Sequence, residues 1–214
     1  MTATRTAAKS KTASTPGSES VPATRRIASG AVLEPLDLTD LAGAPVPVPD
    51  PRRLVHLQFR RFAGCPVCNR HLRSFAVRHA ELEAAGIREV VLFHSSAADL
   101  EPQTRDLPFV IVPDREKRHY RAFGVELAPR ALLDPRAWPA IVTGVAHDLL
   151  ATLRRRKPLP KNPPDGGRLG LPADFLIRSD GRVLHSHYGV HADDQWSLDT
   201  VLALARDAEG AATP

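Results

Sequence analysis

From residue 54 onward, apolar residues recur in short blocks whose spacing switches between strand-like and helix-like. Residues 54–59 (LVHLQF) read as a buried strand, followed by a loop over 60–64. Leu72, Phe75, Ala76, His79 and Leu82 then fall at helical spacing. Pro66 suits the first turn of that helix, where a missing N–H costs nothing, and Gly86 suits its end. Residues 89–94 (EVVLFH) predict a second strand and 96–105 a short helix. A third strand over 109–112 is stopped by Pro113 and Asp114, and a helix over 116–123 by Gly124. This β-α-β-α-β-α order implies a parallel sheet flanked by helices.

The stretch 127–171 departs from that rhythm. Asp134 and Pro135 offer a cap and first-turn pair. Trp138, Ile141, Val142, Val145, Leu149 and Leu153 then form an amphipathic stripe, and 157–172 is a Pro/Gly-rich loop. One helix cannot build a core of its own, so the segment reads as a helical insertion. Two strands near 175–178 and 183–188 flank Ser179-Asp180-Gly181, a hairpin signal. Asp194 is placed to cap a last helix running to about Ala208, with Leu198, Val201, Leu202 and Ala205 facing inward. Upstream, 32–53 reads as a strand-and-turn entry. Residues 1–30 are rich in Thr, Ser, Ala and Pro and read as disordered. The expected organisation is a basic tail (1–30), one α/β domain (31–208) and a short C-terminal tail (209–214).

Charge changes this picture little. The formal net charge is +5, but Arg5, Lys9, Lys11, Arg25 and Arg26 against Glu19 put +4 of it in residues 1–30. The basic balance therefore belongs to the tail, and no basic face with interleaved aromatics points to nucleic acid. Arg154, Arg155, Arg156 and Lys157 fit a solvated helix end favoured by the helix dipole. No run of 18 apolar residues suggests a membrane span, and no apolar segment follows the basic N-terminus as in a secretory signal. A cytoplasmic location is expected.

The candidate chemistry lies in two cysteines, Cys65 and Cys68 of Cys65-Pro66-Val67-Cys68. Bridging them closes a tiny loop and staples nothing distant, so reactivity or metal binding explains the spacing better than stability does. A strand, a short loop and then a helix put Cys65 at a helix N-terminus, where unpaired N–H groups and the dipole favour the thiolate. Spacing of three brings Cys68 within reach to resolve an intermediate. Arg60, Arg61 and Arg70 lie close enough in sequence to add positive potential. The alternatives are a redox-inert binding module and a zinc-holding CxxC protein. The zinc reading would draw on His185, His187 and His191, although half-exposed strand histidines explain those better.

The segments FRRFAGCPVCNRHLRSF, VVLFHSS and LPFVIVPDREKRHYRAFGV, with the later GLPADFLIRSDGRVLHSHYGV, resemble the peroxiredoxin-like branch of the thioredoxin superfamily. That branch is related to the alkyl hydroperoxide reductase and thiol-specific antioxidant proteins. The resemblance runs from about residue 32 to 206. It implies a thioredoxin-like fold: a central mixed sheet flanked by helices. It also implies an antioxidant oxidoreductase that reduces peroxides or disulfides without a cofactor or metal, using a thioredoxin- or glutathione-type electron donor. Cys65 and Cys68 would be catalytic, with Pro66, Pro172 and Arg61 in support. Peroxiredoxins carry a Pro-x-x-x-Thr/Ser-x-x-Cys motif. Aligning Cys68 with its Cys puts Cys65 at the hydroxyl position and Arg61 at the Pro, whereas aligning Cys65 puts Phe62 and Gln58 there. The late-strand Arg of peroxiredoxins falls at Pro172, and Leu171-Pro172 resembles the cis X–Pro that thioredoxins hold beside their CxxC. A cis Leu171–Pro172 bond against Cys65 is therefore expected. Gly64 replaces the Trp before the thioredoxin CxxC, and the first strand lacks thioredoxin's buried acid. Helix geometry favours Cys65, at a cap that solvent can reach, as the attacking thiol, with Cys68 more buried.

Overall fold

The computed structural model describes residues 26–125, 128, 133–154 and 167–210. Five strands form one mixed sheet in the order β3-β2-β1-β4-β5. They are β1 (Leu54–Arg60), β2 (Ile87–Phe93), β3 (Val110–Pro113), β4 (Ala173–Ile177) and β5 (Val183–Tyr188). β1, β2 and β3 pair in parallel, and β4 and β5 add antiparallel beside β1. The helices are α1 (Pro66–Val77), α2 (His79–Ala84), α3 (Ala97–Thr104), α4 (Arg118–Ala122), α5 (Trp138–Leu153) and α6 (Leu198–Gly210). A 3-10 turn, Pro135–Ala137, leads into α5, with the Asp134 carboxylate accepting from the Arg136 N–H as its cap. Among the described residues no helix is long and apolar enough to cross a membrane.

The period of two along β1 sorts its side chains between two cores. Val55, Leu57 and Phe59 face a cluster with Val90, Leu92, Val112, Phe123, Phe175 and Ile177. The opposite face packs under α1 and α6 through Val91, Phe93, Leu176, Leu72, Phe75 and Val201. On that second face β1 contributes His56, Gln58 and Arg60, all fully buried.

Several expected boundaries move. The single helix from Pro66 to Gly86 breaks at Arg78 (φ −111°, ψ 21°), whose side chain pairs with Glu81 instead. Asp194 does not cap the last helix. Its carboxylate takes the His187 ring N–H (2.9 Å) and the Val190 N–H (2.8 Å), while Ser197 Oγ accepts from Thr200 at the start of α6. That helix continues to Gly210, past the expected start of the C-terminal tail, of which 211–214 lie outside the described residues. The domain begins earlier than residue 31. Ile27 N–H donates to the Tyr188 hydroxyl (2.7 Å), Arg26 lies over the Tyr188 ring, and Gly30 N–H bonds to the Val183 carbonyl. Residues 1–25 of the expected tail, and 157–166 of the Pro/Gly-rich loop, lie outside the described residues.

The insertion differs most from expectation. An amphipathic stripe implies a packed apolar face, yet Trp138, Val142, Val145, Leu149 and Leu153 point outward, with 49–71% of their surface exposed. The face turned inward is made mainly of small residues, Ala137, Ala140 and Gly144, with Ile141 of the stripe half-buried against the core beside them. A Cβ at Gly144 would lie 2.9 Å from the Pro66 carbonyl oxygen, so α5 approaches the first turn of α1 backbone to backbone. Only small residues permit that approach.

Candidate active site

The turn after β1 aims Cys65 at the first turn of α1. Gly64 takes φ +76°, which turns the chain from strand to helix, and Cys65 N–H bonds back to the Phe62 carbonyl. Cys65 is the N-cap residue and Pro66 follows in the first turn. A cap side chain normally offers an oxygen to the free N–H groups of the first turn. Here the Cys65 sulfur takes that place, accepting from the Cys68 N–H at 3.5 Å. The Cys68 thiol donates to the same sulfur at 2.9 Å, and Arg61 Nη1 approaches it at 3.6 Å. Both cysteines are free thiols.

These contacts polarise the pair. Burial alone would raise the Cys65 pKa, but the Cys68 hydrogen bond, the Arg61 charge and the N–H groups of Cys68 and Val67 outweigh it. The result is a thiol held down at about 6. Cys68 goes the other way: burial, its role as donor to Cys65 and the charge on Cys65 push its pKa well above the ordinary thiol value. One sulfur is thus prepared as an anion, and the other as its neutral, proton-bearing neighbour.

Arg61 is held in place, being 2% exposed, and its Nη2 donates to the Arg168 carbonyl at 2.7 Å. Its backbone carbonyl accepts from His94 N–H. His94, fully buried, abuts the same segment: a Cβ on Gly170 would lie 2.8 Å from its Nε2 and 3.2 Å from Arg61 Cγ. Burial, with Lys117 and Arg61 adding positive charge, lowers the His94 pKa to about 4, and neither ring nitrogen has a hydrogen-bond partner among the described residues.

Of the residues singled out from sequence, Cys65, Cys68, Pro66 and Arg61 come together, and Pro172 lacks the cis bond expected of it. Among the described residues the only cis bond is Val48–Pro49, so Leu171–Pro172 is trans. The Pro172 carbonyl is committed to the Gly189 N–H (2.9 Å), and its ring packs on Gly189. What this segment brings to Arg61 is the Arg168 carbonyl and the bare backbone of Gly170. The expectation that solvent reaches Cys65 is also corrected. Cys65 and Cys68 are 0% and 1% exposed, in one cluster with Ala140 of α5. Besides Gly144 on Pro66, Asn69 Nδ2 donates to Asp148 of α5. As for the zinc alternative, His187 is paired with Asp194, and no group of three or more His, Cys, Asp or Glu side chains placed to hold a metal occurs among the described residues.

A buried ionic floor beneath α1 escaped the sequence reading. His56 and Glu89 are register partners across β1 and β2, and His56 Nδ1 meets both Glu89 oxygens at 2.8 and 3.0 Å. Gln58 also donates to Glu89. Asp174 stands opposite Gln58 and bridges diagonally to His56 Nε2 (3.2 Å) and Arg60 Nη2 (2.6 Å). Arg60 reaches on to His71 of α1, and His56 stacks on Phe75. Burial would lower the His56 pKa, but the Glu89 charge and the bonds to Asp174 and Glu89 raise it to about 9. The buried acids that β1 lacks are supplied by its two neighbours. The available signal was the polar alternation His56, Gln58, Arg60 in a strand bounded by buried elements.

The chain matches the family model of the AhpC/TSA antioxidant enzyme over residues 74–191, more than half its length and beginning just after the cysteine pair. No curated protein matches it in sequence. Among solved structures it is similar to peroxidoxin BcpB from Mycobacterium tuberculosis (17% identity, 85% of this chain and 98% of that one, TM-score 0.59). It is also similar to a cysteine-to-serine mutant of peroxiredoxin 6 from Arenicola marina (15% identity, 87% and 76%, TM-score 0.63). A third is the bacterioferritin comigratory protein of Xanthomonas campestris, described with an alkyl peroxide reduction activity (14% identity, 85% and 99%, TM-score 0.56). At these identities the likeness is one of fold.

Proposed function

The chain belongs to the AhpC/TSA antioxidant enzyme family and is a thiol-dependent oxidoreductase, and we propose that Cys65 and Cys68 are its redox couple, with Cys65 as the attacking thiol. The observation that carries this reading is the polarised pair: a Cys65 sulfur that accepts from Cys68 at 2.9 Å beside the Arg61 guanidinium. The Cys65 thiolate attacks the terminal oxygen of a hydroperoxide. A sulfur–oxygen bond forms, the O–O bond breaks, and the alkoxide or hydroxide takes a proton and leaves. Cys68 then attacks the Cys65 sulfenic acid, releasing water and leaving the internal disulfide. A thioredoxin-type dithiol, or two molecules of a glutathione-type thiol through a mixed disulfide, returns the couple to the reduced state by exchange.

Burial of both sulfurs favours a small hydroperoxide over a protein disulfide as oxidant, since disulfide exchange needs a sulfur of the partner in line with the attacking one. Protein-disulfide reduction is the second reading, and it requires α5 to part from Pro66 during catalysis. A chain whose two cysteines form one reactive couple suits a reducing compartment such as the cytoplasm.

The test is one equivalent of hydroperoxide added to the reduced protein, followed by intact mass and thiol count. The wild type should lose two thiols and two hydrogens as a monomer. Cys68→Ser should gain one oxygen on Cys65, and Cys65→Ser should stay unchanged. Oxygen arriving on Cys68 in Cys65→Ser would reverse the roles, and mainly intermolecular disulfides in the wild type would refute an internal couple.

A further inference from the structure

The outward face of α5 has no role in the chemistry above. Trp138, Val142, Val145 and Leu149 follow one another at steps of four, three and four, and Leu153 extends the row. This is the spacing of a helix–helix seam, in which two residues per heptad form the contact line. Leu150 widens it, and all six side chains are 49–71% exposed. Together they leave on the order of 600 Å² of apolar surface on one face, at the upper end of the largest patch found on ordinary monomers.

The geometry points to a second copy of this chain as the occupant: we propose that α5 pairs with the α5 of another molecule, antiparallel about a two-fold axis near Val145. Three observations select that occupant. First, Val145 lies at the middle of Trp138–Leu153, so a two-fold there sets the Trp138 end of each helix on the Leu149–Leu153 end of the other, filling a bulky ring against smaller aliphatic groups. Second, α5 itself contains no Lys or Arg, and the cations beside it, Arg136 and Arg154, stand at its two ends, so the centre of the seam, Val142, Val145 and Leu149, offers no charge to an acidic partner. Third, complete burial of this patch on both copies would hide about 1,200 Å² in total, the lower edge of a standard specific interface. The face of α5 seated on Pro66 is the opposite one, so pairing leaves the contact over the thiols in place.

The test is sedimentation velocity on the full-length protein, kept reduced so that no intermolecular disulfide contributes, from about 1 to 100 µM. The expected result is a concentration-dependent dimer. Val145→Glu and Leu149→Glu, each bringing two carboxylates onto the axis region, should weaken it about a hundredfold. Val77→Glu, at an equally apolar and even more exposed position on α1, should leave it unchanged. Trp138 gives a readout that needs no destabilising variant: dilution should shift tryptophan emission to the red, and the shift should vanish in Trp138→Phe. A wild type monomeric at about 100 µM, a dimer that survives Val145→Glu and Leu149→Glu, or one dissolved by Val77→Glu would overturn the proposal.

Discussion

Two helices meet at the candidate site, and they are built in opposite ways. α1 buries its large residues, Val67, Leu72 and Phe75, and rests on a floor of paired charges. α5 and the turn before it bury Ala137, Ala140 and Gly144, with Ile141 half-buried beside them, and expose the other large residues. The first arrangement fixes a helix end where a thiolate is needed. The second lays a second helix close over that end with little side-chain interlock. The contrast teaches that an apolar stripe marks one face of a helix without saying whether that face turns inward. Where two backbones must approach, the small-residue face wins the interior, and the large residues are left for solvent or a partner.

The comparison breaks most sharply at the ionic floor. His56→Leu leaves Glu89 without its cation and Asp174 with Arg60 as its remaining cation, and should cost about 3–5 kcal/mol in chemical denaturation. The same group gives the comparison a pH dependence. His56 has a folded pKa of about 9, above its unfolded value near 6.5, so its protonated form is the stabilised one. Its contribution is complete below about pH 6.5 and is lost as pH rises through about 9. Thermal unfolding should show that alkaline decline in the wild type, with less of it in His56→Leu.

Next in size is a matched pair of truncations. Leu72→Ala on the buried face of α1 should cost about 2–5 kcal/mol, as cavities in packed cores do. Leu149→Ala on the outer face of α5 should stay within about 0.5 kcal/mol in dilute protein. Equal costs would mean that α5 is seated on its large residues after all. Smaller again is Gly144→Ala, whose new methyl meets the Pro66 carbonyl and must push α5 away. A cost of about 1–3 kcal/mol is expected. Alkylation of Cys65 should be faster at the same time, because the cover over the first turn is loosened.

Much of this was legible in the sequence, for identifiable reasons. Strand–loop–Cys–Pro–helix placed Cys65 at a helix cap because Pro66 and the 3.6-residue period of α1 both announce where the helix begins. The sheet was legible because buried strands are continuous apolar runs. The ionic floor was not, because pairing His56 with Glu89 and Asp174 depends on strand register, which joins residues 33 and 118 positions apart. The burial of Cys65 was not legible either. It depends on α5, a helix far along the chain whose small-residue face carries no signal in a hydrophobic pattern. The trans Leu171–Pro172 bond goes with Pro172 giving its carbonyl to Gly189, another contact that no local motif announces.

The central claim is that Cys65 is the thiol prepared for attack and that Cys68 and Arg61 prepare it. The most direct test is the pH dependence of iodoacetamide alkylation in Cys68→Ser, whose hydroxyl can still donate to the Cys65 sulfur, beside Cys68→Ala, which has no donor. The account predicts a midpoint near pH 6 for Cys65 in Cys68→Ser, the value set by the Cys68 and Arg61 contacts, and a rise toward the ordinary thiol value of about 8.5 in Cys68→Ala. A midpoint near about 8.5 in both variants would contradict it, because the Cys65 sulfur would then gain nothing from the donor and guanidinium that surround it.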